Sequence, residues 1–314
     1  MGLIGWALYR QVLAGEDQRA LWQNFRAHFV TGQRLAWLLA AAALVPLNWA
    51  WETAKFRYLV RAFAVKGFWE SYRIVLAGVA VSIFTPNRVG EYGGRVLLVE
   101  ARHNWKIVVA TLVGSLAQLL VLLCGGLLGG GYFLRTYLLP DEPWLPYGLF
   151  GLAALVAALL FLYFRIGTAV QLTKNWPFPR WLRRYLKHLI VLRHYRKREL
   201  LTTLAYSALR YLTYCTQYYL LLRFYGVELG YWTALAGTAT IYLIHSGLPL
   251  PPVIGFLARG NIALLVWGVF TDRSLDVLAA SYSLFVLNLA LPALMGEVFI
   301  LQTNLLKSLG YASD

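Results

Sequence analysis

Residues Ile107–Phe133, IVVATLVGSLAQLLVLLCGGLLGGGYF, decide the fold class, because the stretch holds no charged residue and is long enough to cross a bilayer as one helix. At about 1.5 Å of rise per residue, a hydrocarbon core of about 30 Å takes roughly 20 apolar residues. Comparable blocks recur at Leu35–Trp51, Leu145–Phe164, Leu200–Leu222 and Val277–Leu301, the last with Pro292 as an expected kink. Over all 314 residues, 59% are hydrophobic and only 14% charged, with a mean hydropathy of +0.57. Soluble domains carry about 25% charged residues. A soluble enzyme, a disordered chain and a disulfide scaffold are therefore excluded. The sequence predicts an all-α, polytopic membrane protein.

Two further apolar blocks are broken. Tyr72–Phe84 stops at Thr85-Pro86-Asn87-Arg88 and resumes over Val89–Trp105, and Tyr231–Ser246 stops at Pro249, Pro251 and Pro252 and resumes over Ile254–Phe270. The breaks resemble each other. Ser82, Pro86 and Gly90 are followed by Arg95, and Ser246, Pro251 and Gly255 are followed by Arg259. As a helix, Tyr72–Phe84 would reach about 20 Å, short of the core thickness. The charged segment that ends the first span (Glu52, Lys55, Arg57, Arg61, Lys66) and the pair Arg102 and Lys106 place both flanks of this block on the cytoplasmic side. Paired Pro/Gly-broken segments in two halves predict two re-entrant helix hairpins in an inverted repeat. A kinked single crossing at each break is the alternative.

The expected organisation is an N-terminal anchor or incomplete span over 1–31 and a transmembrane domain over 32–314. The latter divides into a first half (32–170), a basic cytoplasmic interfacial segment (171–199) and a second half (200–306). Met1–Leu13 is too short to span and lacks the basic start of a signal peptide. Trp176–Tyr195 interleaves aromatics with Arg and Lys, the composition of an amphipathic helix lying on anionic lipid. The net charge of +15 sits mainly in short loops, which orients the chain and attracts anionic headgroups. Asp141 and Glu142 mark an outside connection. Nucleic acid is excluded as a partner because base readout needs a folded soluble module. Cys124 and Cys215 stand alone as small buried hydrophobes.

The first break carries the chemistry. Thr85 and Pro86 read as an N-cap and a first-turn proline, so the helix opening there would aim its positive end at the break. Asn87 lies in that turn, and Arg88 adds a planar donor suited to phosphate. Glu91 and Arg95 fall at i, i+4 as an ion pair, and Gly90 and Gly94 have the spacing that admits a neighbouring helix. Ionisable residues at membrane depth are functional candidates, so Arg259 joins this set, with Arg210, His245 and Glu297 as secondary candidates. Each has a plainer reading: Arg88 snorkelling, Arg259 paired with Glu297, Arg210 packing, His245 as a hydrogen-bonded core residue. Tyr211, Tyr214 and Tyr218 have the spacing of a packing face. No metal-ligand spacing, nucleotide loop or nucleophile elbow occurs, so no catalytic residue, metal or cofactor is expected.

Ser82–Arg95, SIFTPNRVGEYGGR, resembles the signature of the lysylphosphatidylglycerol synthase transmembrane-region, or flippase-like, membrane proteins. Asn48–Arg57 is similar to the segment preceding that signature in one bacterial branch, and Leu248–Asn261 to a second Pro/Gly-rich motif, with Gly260 where the family usually has an acidic residue. The resemblance covers nearly the whole chain. It implies movement of a polar-headgroup lipid between leaflets. Together with the residues of the breaks it leads to the expectation of a bacterial inner-membrane lipid translocase whose headgroup site comprises Thr85, Pro86, Asn87, Arg88, Glu91, Arg95 and Arg259, with Glu91 and Arg95 holding the half-helix in place. Expected partners are membrane lipids, anionic ones, with a second copy of the chain or a separate lipid-modifying enzyme left open. The two-domain members of the family also carry a cytoplasmic aminoacyltransferase; none is expected in these 314 residues, so aminoacylation is not carried over. Two other readings stand beside translocation: a non-transporting scaffold of a cell-envelope or glycolipid pathway, and an intramembrane lipid-phosphate transferase using Glu91 as base.

Overall fold

The computed structural model describes residues 32–64, 67–83, 85–167, 192, 195–248 and 252–303. The N-terminal 1–31 segment, most of the 171–199 segment, Pro249, Pro251 and the Asn87 side chain fall outside that set. The described residues are helical and contain no strand. In chain order they form α1 (Gly32–Val60), α2 (Phe68–Ser82), a 3-10 turn at Pro86–Arg88, α3 (Gly90–Val96), a 3-10 turn at Ala101–His103, and α4 (Asn104–Gly125). Beyond these come α5 (Leu145–Phe164), α6 (Lys197–Phe224), α7 (Tyr231–Ser246), α8 (Pro252–Trp267), α9 (Ser274–Phe285) and α10 (Leu291–Leu301).

Among the described residues, four helical stretches are long and apolar enough to cross a bilayer: Arg34–Val60, Ala101–Leu138, Leu145–Phe164 and Ser274–Leu301. Helix α6 is long enough, at 28 residues, but is less apolar because it buries Thr203, Ser207, Thr213 and Gln217. The helix of α4 runs on past Phe133 through two π-turns, Gly126–Gly130 and Leu134–Leu138. A third π-turn, Val286–Ala290, precedes Pro292 and joins α9 to α10. The irregularity therefore sits in the turn before the proline, where the missing N–H and ring would disturb the ladder.

The chain forms two compact units, each drawn from three segments. The first comprises Met1–Asn48, Gly125–Leu149 and Leu212–Leu291. Its core gathers Phe133, Leu221, Phe224, Ile241, Ala263 and Trp267. Trp267 Nε1 donates to Tyr218 Oη (3.1 Å), Tyr218 donates to Ser281 Oγ (2.5 Å), and Ser281 donates to the Val277 carbonyl (2.9 Å). Helices α7 and α8 fold back as a hairpin, since Gly237 meets the Trp267 ring and His245 meets Arg259. Gly126 lies against Leu243 and Gly129 against Ala236 and Ala239, so the small residues near the end of α4 admit α7 at close range.

The second unit comprises Trp49–Cys124, Phe150–Tyr211 and Pro292–Asp314. Here α2 and α3 form a hairpin pressed together at two glycines. A Cβ on Gly90 would stand 2.5 Å from the Val81 carbonyl oxygen, and one on Gly94 would stand 2.5 Å from that of Ala77. The Gly90/Gly94 spacing thus admits a neighbouring helix, as the sequence predicts. Gly296 of α10 meets the Leu76 backbone in the same way.

Candidate functional site

Six ionisable side chains of the second unit converge at the α2–α3 break. Glu52 and Lys55 come from α1 at i, i+3, Arg88 from the 3-10 turn, Glu91 and Arg95 from α3, and Arg210 from α6. Glu52 is the hub. Its Oε1 accepts from Arg95 Nη2 (2.8 Å), while its Oε2 meets Arg210 Nη1 (2.6 Å) and Lys55 Nζ (2.7 Å). Arg95 also pairs with Glu91, the i, i+4 contact that the spacing predicts. Lys55 Nζ further reaches the Gly114 carbonyl at 3.3 Å. Two aromatic faces support the cations: Arg95 lies over Phe56 at 4.9 Å and Arg210 over Trp49 at 4.8 Å.

The cluster is graded in exposure. Side chains of Lys55 and Arg95 are 2% exposed, those of Arg210 and Glu91 12% and 13%, and that of Arg88 36%. Arg88 is also the least satisfied member. Its nearest carboxylate oxygen, on Glu91, is 3.5 Å away, and its Nε has no partner among the described residues. The Nε atoms of Arg95 and Arg210 are buried without partners as well. Four cations face two carboxylates, which leaves two positive charges over. Burying an unbalanced charge is costly unless something pairs with it.

The break itself differs from a simple helix start. Thr85 is extended (φ −111°, ψ 138°) and Pro86 opens the turn, as an N-cap and first-position proline should. The chain then makes one 3-10 turn and the seven-residue α3, so the apolar run Val89–Trp105 is divided among several short elements. The reason lies in Thr85: its Oγ1 accepts the Gly90 N–H (2.8 Å) and donates to the Ser82 carbonyl (3.2 Å), tying the end of α2 to the start of α3. A backbone donor expected to await an anion is thereby occupied, and the cations are left to supply the positive field. Arg88 has φ 58°, the one left-handed non-glycine among the described residues. Such a conformation is strained for an L-residue and persists where the surroundings hold it.

Two parts of the cluster escape sequence reasoning. Hydropathy assigns Glu52 and Lys55 to a charged segment that ends the first span, but α1 continues to Val60 and buries both. Their signal is the i, i+3 spacing on one face with Asn48 and Trp49. Arg210, a secondary candidate, belongs to the centre. The remaining candidates sit elsewhere. Arg259, in the first unit, donates to His245 Nε2 (3.2 Å) and lies 5.6 Å from the Tyr242 ring. That bond requires the acceptor nitrogen of His245 to be unprotonated. Glu297 is exposed on α10. Tyr218 packs in the core and Tyr214 stacks edge-on with Tyr242.

A family model described as the lysylphosphatidylglycerol synthase TM region matches residues 1–265. The chain belongs to that family. No curated protein matches it. As a member of the lysylphosphatidylglycerol synthase TM-region family, with its long apolar helices, it is a multi-pass integral membrane protein with a lipid-related function. The SIFTPNRVGEYGGR stretch that suggested the family is the one that builds the α2–α3 break and supplies three of the six charges, Arg88, Glu91 and Arg95.

Proposed function

We propose that this protein is a flippase-like lipid translocase, moving a lipid with an anionic headgroup between the leaflets of a bacterial inner membrane. The observation that carries the reading is the charge imbalance of a buried cluster whose most exposed and least satisfied member is Arg88. A phosphodiester offers what that guanidinium lacks: oxygens to accept from its planar donors, and negative charge to offset the excess. Glu52, Lys55, Arg95 and Arg210 then act as a fixed positive base that holds Arg88's neighbourhood in place, while Glu91 competes with the headgroup for Arg88.

In this reading α2 and α3 are a re-entrant hairpin with its tip near Pro86. At 15 residues, α2 reaches about 22 Å, less than the hydrocarbon core of about 30 Å. Backbone freed at membrane depth is tolerated where it lines a polar cavity, and Thr85 satisfies part of it. Arg259 at the second break belongs to the other unit and is proposed as a headgroup contact there in its own right. The acyl chains stay in lipid while the headgroup passes over the cations, so no covalent chemistry is required.

The test is movement of a fluorescent phosphatidylglycerol analogue in vesicles reconstituted with the full chain, read by quenching from outside. Wild type should expose the inner-leaflet probe and leave it chemically unchanged by mass spectrometry. Arg88→Ala should lose that activity while eluting as folded protein. No movement in wild-type vesicles would favour the scaffold reading, an altered lipid would favour the transferase, and full movement by Arg88→Ala would remove Arg88 from the path.

A further inference from the structure

A second cationic site lies at one end of the same unit, sharing no residue with the Glu52 cluster. The last turn of α1, the first turn of α4 and the start of α6 meet there. Tyr195 Oη donates to the Leu59 carbonyl (2.9 Å), Arg61 Nη2 meets Glu199 Oε1 (2.8 Å), and Lys106 Nζ lies 5.7 Å from the centre of the Phe63 ring. Between them is a cavity of about 160 Å3, lined by Tyr58, Arg61, Phe63, Lys106, Tyr195 and Glu199.

Its charge and its chemistry are both uneven. Two cations face one carboxylate, and each oxygen of that carboxylate already has a partner: Oε1 has Arg61 and Oε2 has the Arg196 N–H at 2.9 Å. Burial pushes the Glu199 carboxyl up, but the Arg196 and Arg61 hydrogen bonds outweigh it and hold the group below its usual range. It is therefore ionised at neutral pH, and its ion pair is with Arg61 and not with Lys106. Lys106 has no carboxylate partner among the described residues, and its remaining contact is the Phe63 face.

Location narrows the ligand. The cavity opens where an apolar stretch, Arg34–Val60, ends. Arg57, Arg102, Arg196, Lys197 and Arg198 crowd the surrounding helix ends, the bias that marks the cytoplasmic side. Tyr58 and Tyr195 are of the aromatic type found at the headgroup level, and the Phe63 ring lines the cavity beside them. Whole-molecule pockets usually run to about 300 Å3 or more; this one has room for a headgroup, with the rest of the molecule outside.

We infer that this cavity seats the phosphate of an anionic phospholipid of the cytoplasmic leaflet between Lys106 and Arg61, with Glu199 as a built-in competitor for Arg61. A phosphate oxyanion is the shared chemistry of a lipid headgroup and of free phosphate, and the apolar helix ends assign it to the lipid.

Native mass spectrometry of the full chain in detergent tests this, in an Arg88→Ala background so that a headgroup at the Glu52 cluster does not contribute. Phosphatidylglycerol, phosphatidylcholine and inorganic phosphate are titrated separately. Lys106→Ala should bind phosphatidylglycerol about five-fold more weakly, the share of one interfacial cation. Glu199→Gln, which frees Arg61 and keeps an oxygen for the Arg196 N–H, should bind it at least as tightly as the parent. Phosphatidylcholine binding should not respond to either change. Parental affinity in Lys106→Ala, or a loss in Glu199→Gln equal to that in Lys106→Ala, would overturn the site. Displacement of phosphatidylglycerol by inorganic phosphate at equal concentration would overturn the lipid assignment in favour of a soluble anion.

Discussion

Replacing Arg88 by glycine and by alanine separates what its backbone costs from what its side chain does. At φ 58°, an L-residue is strained by roughly 1–2 kcal/mol, and glycine is not. Both variants lose the guanidinium and its 3.5 Å contact with Glu91, a contact 36% exposed on the arginine side and worth at most about 0.5 kcal/mol after solvent screening. That loss cancels when the two are compared. In an ordinary helical position, glycine is the worse residue by about 0.5–1 kcal/mol because its unfolded chain is freer. At position 88 the order should reverse, with Arg88→Gly ahead of Arg88→Ala by about 0.5–1 kcal/mol once the two effects are set against each other. For a chain of this size, that is on the order of 1–4 °C in melting temperature. Cys215, 1% exposed, is a ready reporter: a thiol-reactive fluorophore in detergent reads the temperature at which it opens. Both variants should be inactive in the lipid-movement assay, so the more stable one would still be dead. Arg88→Ala melting at or above Arg88→Gly would refute the strain argument.

Glu52→Gln removes the carboxylate that Lys55, Arg95 and Arg210 share, and breaking a buried ion pair costs about 3–5 kcal/mol. The same melting assay should fall by on the order of 10 °C, and Glu52→Gln/Lys55→Met, which removes one stranded cation, should recover part of it. A loss no larger than that of exposed Glu297→Gln would refute the hub. Gly94→Val forces atoms onto the Ala77 backbone, which cannot yield, and should lower stability by about 1–3 kcal/mol or more. Gly93→Ala, where nothing lies within 4 Å, should be neutral or slightly stabilising; equal behaviour of the two on size exclusion and melting would refute the close hairpin.

The features legible in the sequence obey local rules. Proline removes a donor wherever it stands, so both helix breaks are visible at Pro86 and at Pro252. Glu91 with Arg95, and Gly90 with Gly94, are four apart and share a helix face in any environment. Glu52 and Lys55 are misplaced by hydropathy because a hydropathy window sees charges and not the partners that neutralise them. Those partners, Arg95 and Arg210, are 43 and 158 residues further along the chain from Glu52. The left-handed turn residue is hidden for a related reason. Asparagine adopts that conformation more readily than arginine, so TPNR favours Asn87, and tertiary contacts place it at Arg88.

The hydrogen bonds from Trp267 through Tyr218 and Ser281 to Val277 all run one way, beginning at a group that only donates and ending at one that only accepts. Such a wire cannot be turned round, because reversal would ask the indole nitrogen to take a hydrogen bond and the carbonyl to give one. It therefore cannot relay protons by the hop-and-reorient cycle. Its polarity makes this stretch of the interior a latch between α6, α8 and α9.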